Sequence, residues 1–343
     1  MVKRLGDGSY GVVDAVCRKQ KDPLTGRTWK EGDPRNRAHL ARKKFESPDG
    51  LSTSRSRLQL AEHKIMRELS KLSDHEQVHL VRHELTYTTN VTEGSAQYYM
   101  VISPIASQGN LTQFLSHVNT GAYSPLPKIM GCLVTGLAIL HNAKIRHHDL
   151  HPGNILIHQD SPLYSDFGLS YNFKNHQDSK TKENPRHHWQ FAAPEYFRNE
   201  ERGTSADVFG LGGILYEIAA VLTKDEDMLN CRPTASNTQF GDESESKDAR
   251  DALTKAKAYV GDDMLRCWLG FISSMLEFSP ERRPSAMDIV TSLYQKQGGV
   301  LMCWSCSKWF TEQPEYQNMD KDFDRPGEAS TGAPPTQSSK PRS

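Results

Sequence analysis

Two short stretches carry most of the chemistry this sequence could do. In Ile145-Arg146-His147-His148-Asp149-Leu150-His151-Pro152-Gly153-Asn154-Ile155-Leu156-Ile157, a carboxylate and an amide stand five residues apart between two apolar runs. Further on, Ser165-Asp166-Phe167-Gly168 puts a second carboxylate on a glycine-terminated turn. Aspartate and asparagine offer hard oxygen atoms, the kind that take up a proton or a divalent cation. Pro152 and Gly153 break any helix between Asp149 and Asn154, so both side chains can point the same way. The flanking apolar residues read as buried anchors that hold a rigid polar loop at a cleft.

The elements that would position these groups begin at the N-terminus. Leu5-Gly6-Asp7-Gly8-Ser9-Tyr10-Gly11-Val12-Val13 reads G-x-G-x-x-G-x-V. Gly6, Gly8 and Gly11 let the backbone turn tightly and approach phosphate oxygens with no Cβ in the way. Taken alone, the pattern fits a plain hairpin turn better. A dinucleotide-binding fingerprint would run into a helix, whereas Val12-Val13-Asp14-Ala15-Val16 continues as a strand. Only five residues precede Gly6, so the first strand is expected to be incomplete. Residues 18–37 are charged and turn-rich and read as a long hairpin connection. Ala41-Arg42-Lys43-Lys44-Phe45 follows, on its residues alone a solvated basic cluster. Beyond it, Leu58, Ile65, Leu69 and Leu72 recur at helical spacing, with Glu62 inside the stripe. A carboxylate among apolar neighbours needs a cationic partner to offset its desolvation. Glu68, further round the same helix, ranks behind it, and Val78–Val81 and Gln97–Ile102 read as two strands.

In this order the motifs resemble those of protein kinases, over residues 5–297. The resemblance includes Ile102-Ser103-Pro104-Ile105 as a hinge, Phe191-Ala192-Ala193-Pro194-Glu195 closing an activation segment, Ser205-Ala206-Asp207-Val208-Phe209-Gly210 opening a central helix, and Arg283 as partner of Glu195. It implies an α+β bilobal fold. Residues 1–102 would form a small β-rich N-lobe with one key helix, and 103–297 a larger, mainly α-helical C-lobe. Residues 298–343 would be a disordered tail.

The activity implied by the resemblance is ATP-dependent phosphoryl transfer to Ser/Thr hydroxyls of a protein substrate. Asp149 would accept the hydroxyl proton, and Asn154 and Asp166 would hold Mg2+. Lys43, steadied by Glu62, would bind the α- and β-phosphates; Lys30 is the rival lysine. Gly6, Gly8 and Gly11 would cover the phosphates. Val13, Ala41, Ser103, Ile105 and Leu156 would surround the adenine, with the hinge backbone at Ser103 and Ile105 bonding to it. The string His-x-Asp-Leu-His-Pro-Gly-Asn is also similar to that of aminoglycoside and choline phosphotransferases. The D-F-G and A-P-E motifs and Arg283 favour a protein kinase. A pseudokinase scaffold that binds ATP without transfer is the non-enzyme alternative.

Three histidines depart from the protein kinase pattern. His148 replaces the arginine that normally receives an activation-loop phosphate, which predicts weak dependence on such phosphorylation. His151 replaces a lysine, and His188 stands where many Ser/Thr kinases carry threonine. Histidines titrate near neutrality, so an unusual pH dependence of activity is expected.

Composition narrows the classes further. Lys+Arg and Asp+Glu both number 42, so no net field draws the chain to nucleic acid or to an anionic membrane. The longest apolar run, near Gly210–Leu222, is too short to span a bilayer, and no signal-peptide core is present at the N-terminus. Six scattered cysteines suggest a reducing compartment, the cytoplasm or the nucleus. Residues 223–250 read as a solvated insertion. Cys303-Trp-Ser-Cys306 is half a zinc site with no second pair nearby, so structural zinc is not expected. The oligomeric state is not encoded in any of these features.

Overall fold

The structure, a computed structural model, describes residues 3–8, 11–16, 40–45, 54–90, 96–121, 124–174, 189–233, 239–244, 246–297 and 299–314. Five antiparallel strands form one sheet near the N-terminus: β1 (Lys3–Gly8), β2 (Gly11–Val16), β3 (Leu40–Phe45), β4 (Arg82–Asn90) and β5 (Ala96–Ser103). Their order is β1-β2-β3-β5-β4. Despite its short lead, β1 pairs with β2 from Lys3↔Ala15 to Gly8↔Gly11. The alternation of β3 buries Ala41, Lys43 and Phe45 on one face, and its register sets Lys43 beside Val13 on one side and Met100 on the other. Helix α1 (Ser54–Leu69) packs against β4, and Glu62, Ile65, Met66 and Leu69 share its buried face.

The rest of the chain is helix-rich, completing a bilobal α+β fold. Its helices are α2 (Leu111–Leu115), α3 (Leu126–Asn142), α4 (Pro194–Phe197), α5 (Thr204–Thr223), α6 (Glu226–Asn230), α7 (Lys247–Tyr259), α8 (Asp263–Met275), α9 (Ala286–Gln297) and α10 (Trp304–Thr311). Two short ribbons complete it: β6 (Ile145–Arg146) with β9 (Tyr171–Asn172), and β7 (Ile155–His158) with β8 (Ser161–Tyr164). Helix α3 lies against α5, α9 and β8, and α5 against α8. The apolar core runs continuously through these contacts.

Four expectations are corrected. The strand read at Val78–Val81 lies later, in β4; Leu80 and Val81 are apolar because they are buried in a loop tied to Tyr164, not because they alternate in a sheet. Residues 223–250 are not a solvated insertion throughout: Met228 and Phe240 are fully buried, and the Phe240 ring meets Tyr216 at 5.0 Å. The start of the tail expected from residue 298 is instead packed on the core: Leu301 and Met302 before α10, and Cys306, Trp309 and Phe310 within it, are buried. Finally, α5 is longer than its most apolar run and could cross a membrane by length and composition, but 78% of that stretch is buried inside the protein. The long connection at 18–37 with Lys30, residues 175–188 with His188, and residues 315–343 lie outside the described residues.

Candidate active site

The polar loop is anchored at both ends by β-structure, as its apolar flanks require. At its start, β6 pairs with β9; at its end, Ile155 and Ile157 on β7 are fully buried. The helix break takes the form of a short 3-10 turn, Pro152–Asn154, which His151 caps by accepting the Gly153 amide on Nδ1 at 3.2 Å. A Cβ on Gly153 would lie 2.7 Å from the His151 ring, so this turn needs glycine for close approach. The result aims Asn154 back at Asp149. Its Nδ2 donates to the Asp149 carbonyl at 2.9 Å and to Asp149 Oδ2 at 3.2 Å. His151 Nε2 stands 3.9 Å from that same carboxylate oxygen.

Two neighbours fix the loop from behind. His147 is buried, and burial lowers its imidazole below the ordinary histidine value. The neutral ring donates from Nε2 to the Ser165 carbonyl at 3.0 Å and accepts the Asp149 amide on Nδ1 at 3.4 Å. Asp207, at the start of α5, accepts the amides of His147 and His148, each at 2.9 Å, and contacts His141 Nε2 at 3.0 Å. His148 has φ 70°, so its backbone turns sharply at the point where Asp207 grips it. In the sequence Asp207 stands out only as part of the motif that opens the central helix. A carboxylate in an otherwise apolar helix, which must find donors when buried, was the available signal.

Asp166 enters from the opposite side. It has φ 58° and leads into the turn Phe167–Leu169, whose Phe167 is fully buried beside the His147 ring at 5.0 Å. That turn packs against α1, so the helix bearing Glu62 and the turn bearing Asp166 are positioned together. Between them lies Lys43. Its Nζ is 2.8 and 2.9 Å from the two Glu62 oxygens and 3.0 Å from Asp166 Oδ1. Burial would lower the Lys43 ammonium, but the two carboxylates hold it above the ordinary lysine value. Burial would raise Asp166, yet Lys43 keeps its carboxyl below the ordinary aspartate value. Glu68, the second-ranked acid, is half-buried and pairs with Lys71 instead.

A cavity of about 440 Å³ opens between the sheet and the helical region. Val13, Ala41, Ile105 and Leu156 line it together with Lys43, Glu62, Asn154 and Asp166. Met66, Val81 and Met100 add to its apolar wall, a role that no sequence motif assigned to them. Ser103 is not among the lining side chains: its hydroxyl donates to Glu84 at 2.5 Å, and a cis peptide bond joins it to Pro104. Gly6 and Gly8 lie on β1 and Gly11 opens β2, next to the lining residues Leu5 and Val13; the tip Ser9-Tyr10 lies outside the described residues. Asp149 faces an adjoining hollow that it shares with Ala193, Tyr196 and Arg202.

The segment after this hollow is locked in place. Glu195 in α4 and Arg283 form a fully buried two-point pair, at 2.8 Å for each bond. Arg283 also donates to the carbonyls of Glu277 at 2.7 Å and Ser205 at 3.0 Å.

Comparison with known proteins agrees with this geometry. A family model described as the protein kinase domain matches residues 1–295. Among similar curated proteins is a G-type lectin S-receptor-like serine/threonine-protein kinase of Arabidopsis thaliana, 27% identical over 51% of this chain and 22% of its own length. The interferon-induced, double-stranded RNA-activated protein kinase of Rattus norvegicus is 22% identical over 71% of this chain and 47% of its own. The serine/threonine-protein kinase PLK2 of Mus musculus is 28% identical over 48% of this chain and 22% of its own. The matched regions thus span between about a fifth and a half of these relatives.

Proposed function

Because the chain belongs to the protein kinase domain family, we propose that it transfers the γ-phosphoryl group of ATP, in the presence of Mg2+, to a Ser or Thr hydroxyl of a protein substrate. The observation that carries this reading is the three-way contact of Lys43 with Glu62 and Asp166 in a cavity that Asn154 also lines. The donor set suits a hard divalent cation. Asp166 is kept ionised by Lys43, and the Asn154 amide nitrogen is committed to Asp149, which leaves its oxygen free to bind metal. Mg2+ bound there would neutralise charge on the phosphates.

The remaining groups bind, orient and take a proton. Val13, Ala41, Met100 and Leu156 offer apolar surfaces for a planar base, and Lys43 offers fixed positive charge to phosphate oxygens. Asp149, held by Asn154, accepts the proton of the attacking hydroxyl as its oxygen bonds to phosphorus and the bond to ADP breaks. Ser and Thr, rather than small alcohols, are the favoured acceptors because the A-P-E segment is clasped by Arg283 beside the Asp149 hollow, a ready platform for a protein.

Purified protein incubated with labelled ATP, Mg2+, generic Ser/Thr substrates and a panel of amino alcohols tests this. Label on Ser or Thr, lost by about 10²-fold or more in Asp149→Asn, is the expected result. Label on the amino alcohols would identify a small-molecule phosphotransferase. ATP binding without transfer, unchanged by Asp149→Asn, would identify a binding scaffold.

A further inference from the structure

Away from the cleft, four side chains from three segments of the chain converge. His79 comes from the loop between α1 and β4, Cys132 from α3, and Cys303 and Cys306 from the start of α10; their ligand atoms all lie within 4.8 Å of one another. Three of the four are buried and Cys303 is half-buried. The sequence displayed only the Cys303-Trp-Ser-Cys306 half, because the other two donors are separated from it by most of the C-lobe.

The chemistry of the cluster is one-sided. His79 Nδ1 donates to the Pro162 carbonyl at 2.8 Å, so in the neutral ring the Nε2 lone pair is turned toward the sulfurs. That lone pair faces Cys306 Sγ at 3.1 Å and Cys303 Sγ at 3.4 Å. It can accept one S–H, and three thiols crowd around it. Backbone amides point at sulfur as well: Cys303 N donates to Cys132 Sγ at 3.3 Å, and Cys306 N to Cys303 Sγ at 3.4 Å. Amide donors of this kind stabilise thiolates, and a histidine whose second nitrogen is tied to a carbonyl is oriented to ligate through the first.

We propose that His79, Cys132, Cys303 and Cys306 form a structural Zn2+ site that fastens α10 to α3 and to the loop preceding β4. Three thiolates and one imidazole are a soft, four-donor set, suited to tetrahedral zinc and unsuited to calcium or magnesium. Zinc bonds of about 2.3 Å to sulfur and about 2.0 Å to nitrogen place tetrahedral ligands roughly 3.5–3.8 Å apart, close to the contacts seen here. All four positions come from protein, which leaves no open site for catalysis. The packing is built for close approach: a Cβ on Gly131, the neighbour of Cys132, would fall 1.8 Å from the Leu301 carbonyl oxygen. The loop carrying His79 is itself tied to β8, through Tyr164 N to the His79 carbonyl at 2.8 Å and Val81 N to the Tyr164 carbonyl at 3.0 Å. The metal would therefore join the chain's last described helix to the junction of sheet and helical regions.

The test is elemental analysis of the full chain, purified under reducing conditions without chelator. About one zinc per chain is expected, unchanged in Cys267→Ser and reduced at least several-fold in Cys303→Ser and Cys306→Ser. Exchange of the zinc for Co2+ should give the visible absorption of tetrahedral, thiolate-bound cobalt. These two measurements on the unaltered protein decide the matter even if the serine variants fail to fold. Zinc-free protein whose reduced thiols show no Co2+ spectrum would overturn the proposal, and iron in place of zinc would overturn the choice of metal.

Discussion

Lys43 Nζ stands 3.0 Å from Asp166 Oδ1, a contact that spans 123 residues of sequence. It joins a strand of the sheet to a turn beneath α1, and with Glu62 it places one cation between two carboxylates. Removing the cation leaves both acids in a buried space with no counter-charge, as well as removing the positive group offered to phosphate. Lys43→Met is expected to lower kcat/KM for phosphoryl transfer by about 10²–10³-fold, measured with labelled ATP. Activity within a factor of a few of the wild type would remove Lys43 from the phosphate-binding role.

Asp207 gives a prediction with a definite pH sign. Burial would raise its carboxyl, but the hydrogen bond and charge of His141, with the amide of His148, hold it below the ordinary 3.8. A carboxyl depressed on folding stabilises the protein above its unfolded value, about 3.9, and loses that contribution as pH falls toward the lower folded value. Urea unfolding of Asp207→Asn should therefore show a deficit at pH 7 that narrows below about pH 4. A deficit that stays constant down to pH 3 would contradict it.

The Glu195–Arg283 pair supports a stability prediction. Both side chains are almost wholly buried, so truncating one strands the other's charge. Arg283→Ala is expected to cost about 3–5 kcal/mol, read from chemical denaturation. The double change Glu195→Leu with Arg283→Met should recover much of this, because it removes both charges and preserves volume.

His148 bears on regulation. By the resemblance to protein kinases it stands where an arginine would grip a phosphate, and its backbone is fixed by Asp207 at 2.9 Å. Phosphatase-treated enzyme should keep more than half of its activity. A near-total loss on treatment would show that a phosphate is required after all.

Asp149, Asn154 and Asp166 could be read from the sequence because each lies in a short motif whose shape is set locally, by Pro152, Gly153 and a glycine-ended turn. Glu62 was legible through periodicity, a helical stripe that points one charged group inward, and Lys43 only through the resemblance of Ala41-Arg42-Lys43 to a kinase motif. The choice between Glu62 and Glu68 needed the structure, since spacing alone does not say which face is covered. Asp207 and His79 escaped for another reason. The partners of Asp207 are two backbone amides and His141, hinted at only by a carboxylate in an apolar helix, and the sulfurs around His79 are too distant in sequence for any local pattern to announce them. Leu80 and Val81 misled because loop residues buried against Tyr164 look as apolar as a strand, and Met228 and Phe240 because a polar segment can still contribute single anchors to a core.

The placement of α10 has a practical outcome for anyone who trims the chain. The family match ends at residue 295, an inviting point for a stop codon. A protein ended there would lose Trp309 and Phe310 from its interior and would strip the covering from Gly131, Cys132 and Tyr294. Bare apolar surface and an orphaned thiol favour clumping over solubility, so the shortest well-behaved version should run to residue 314 or beyond.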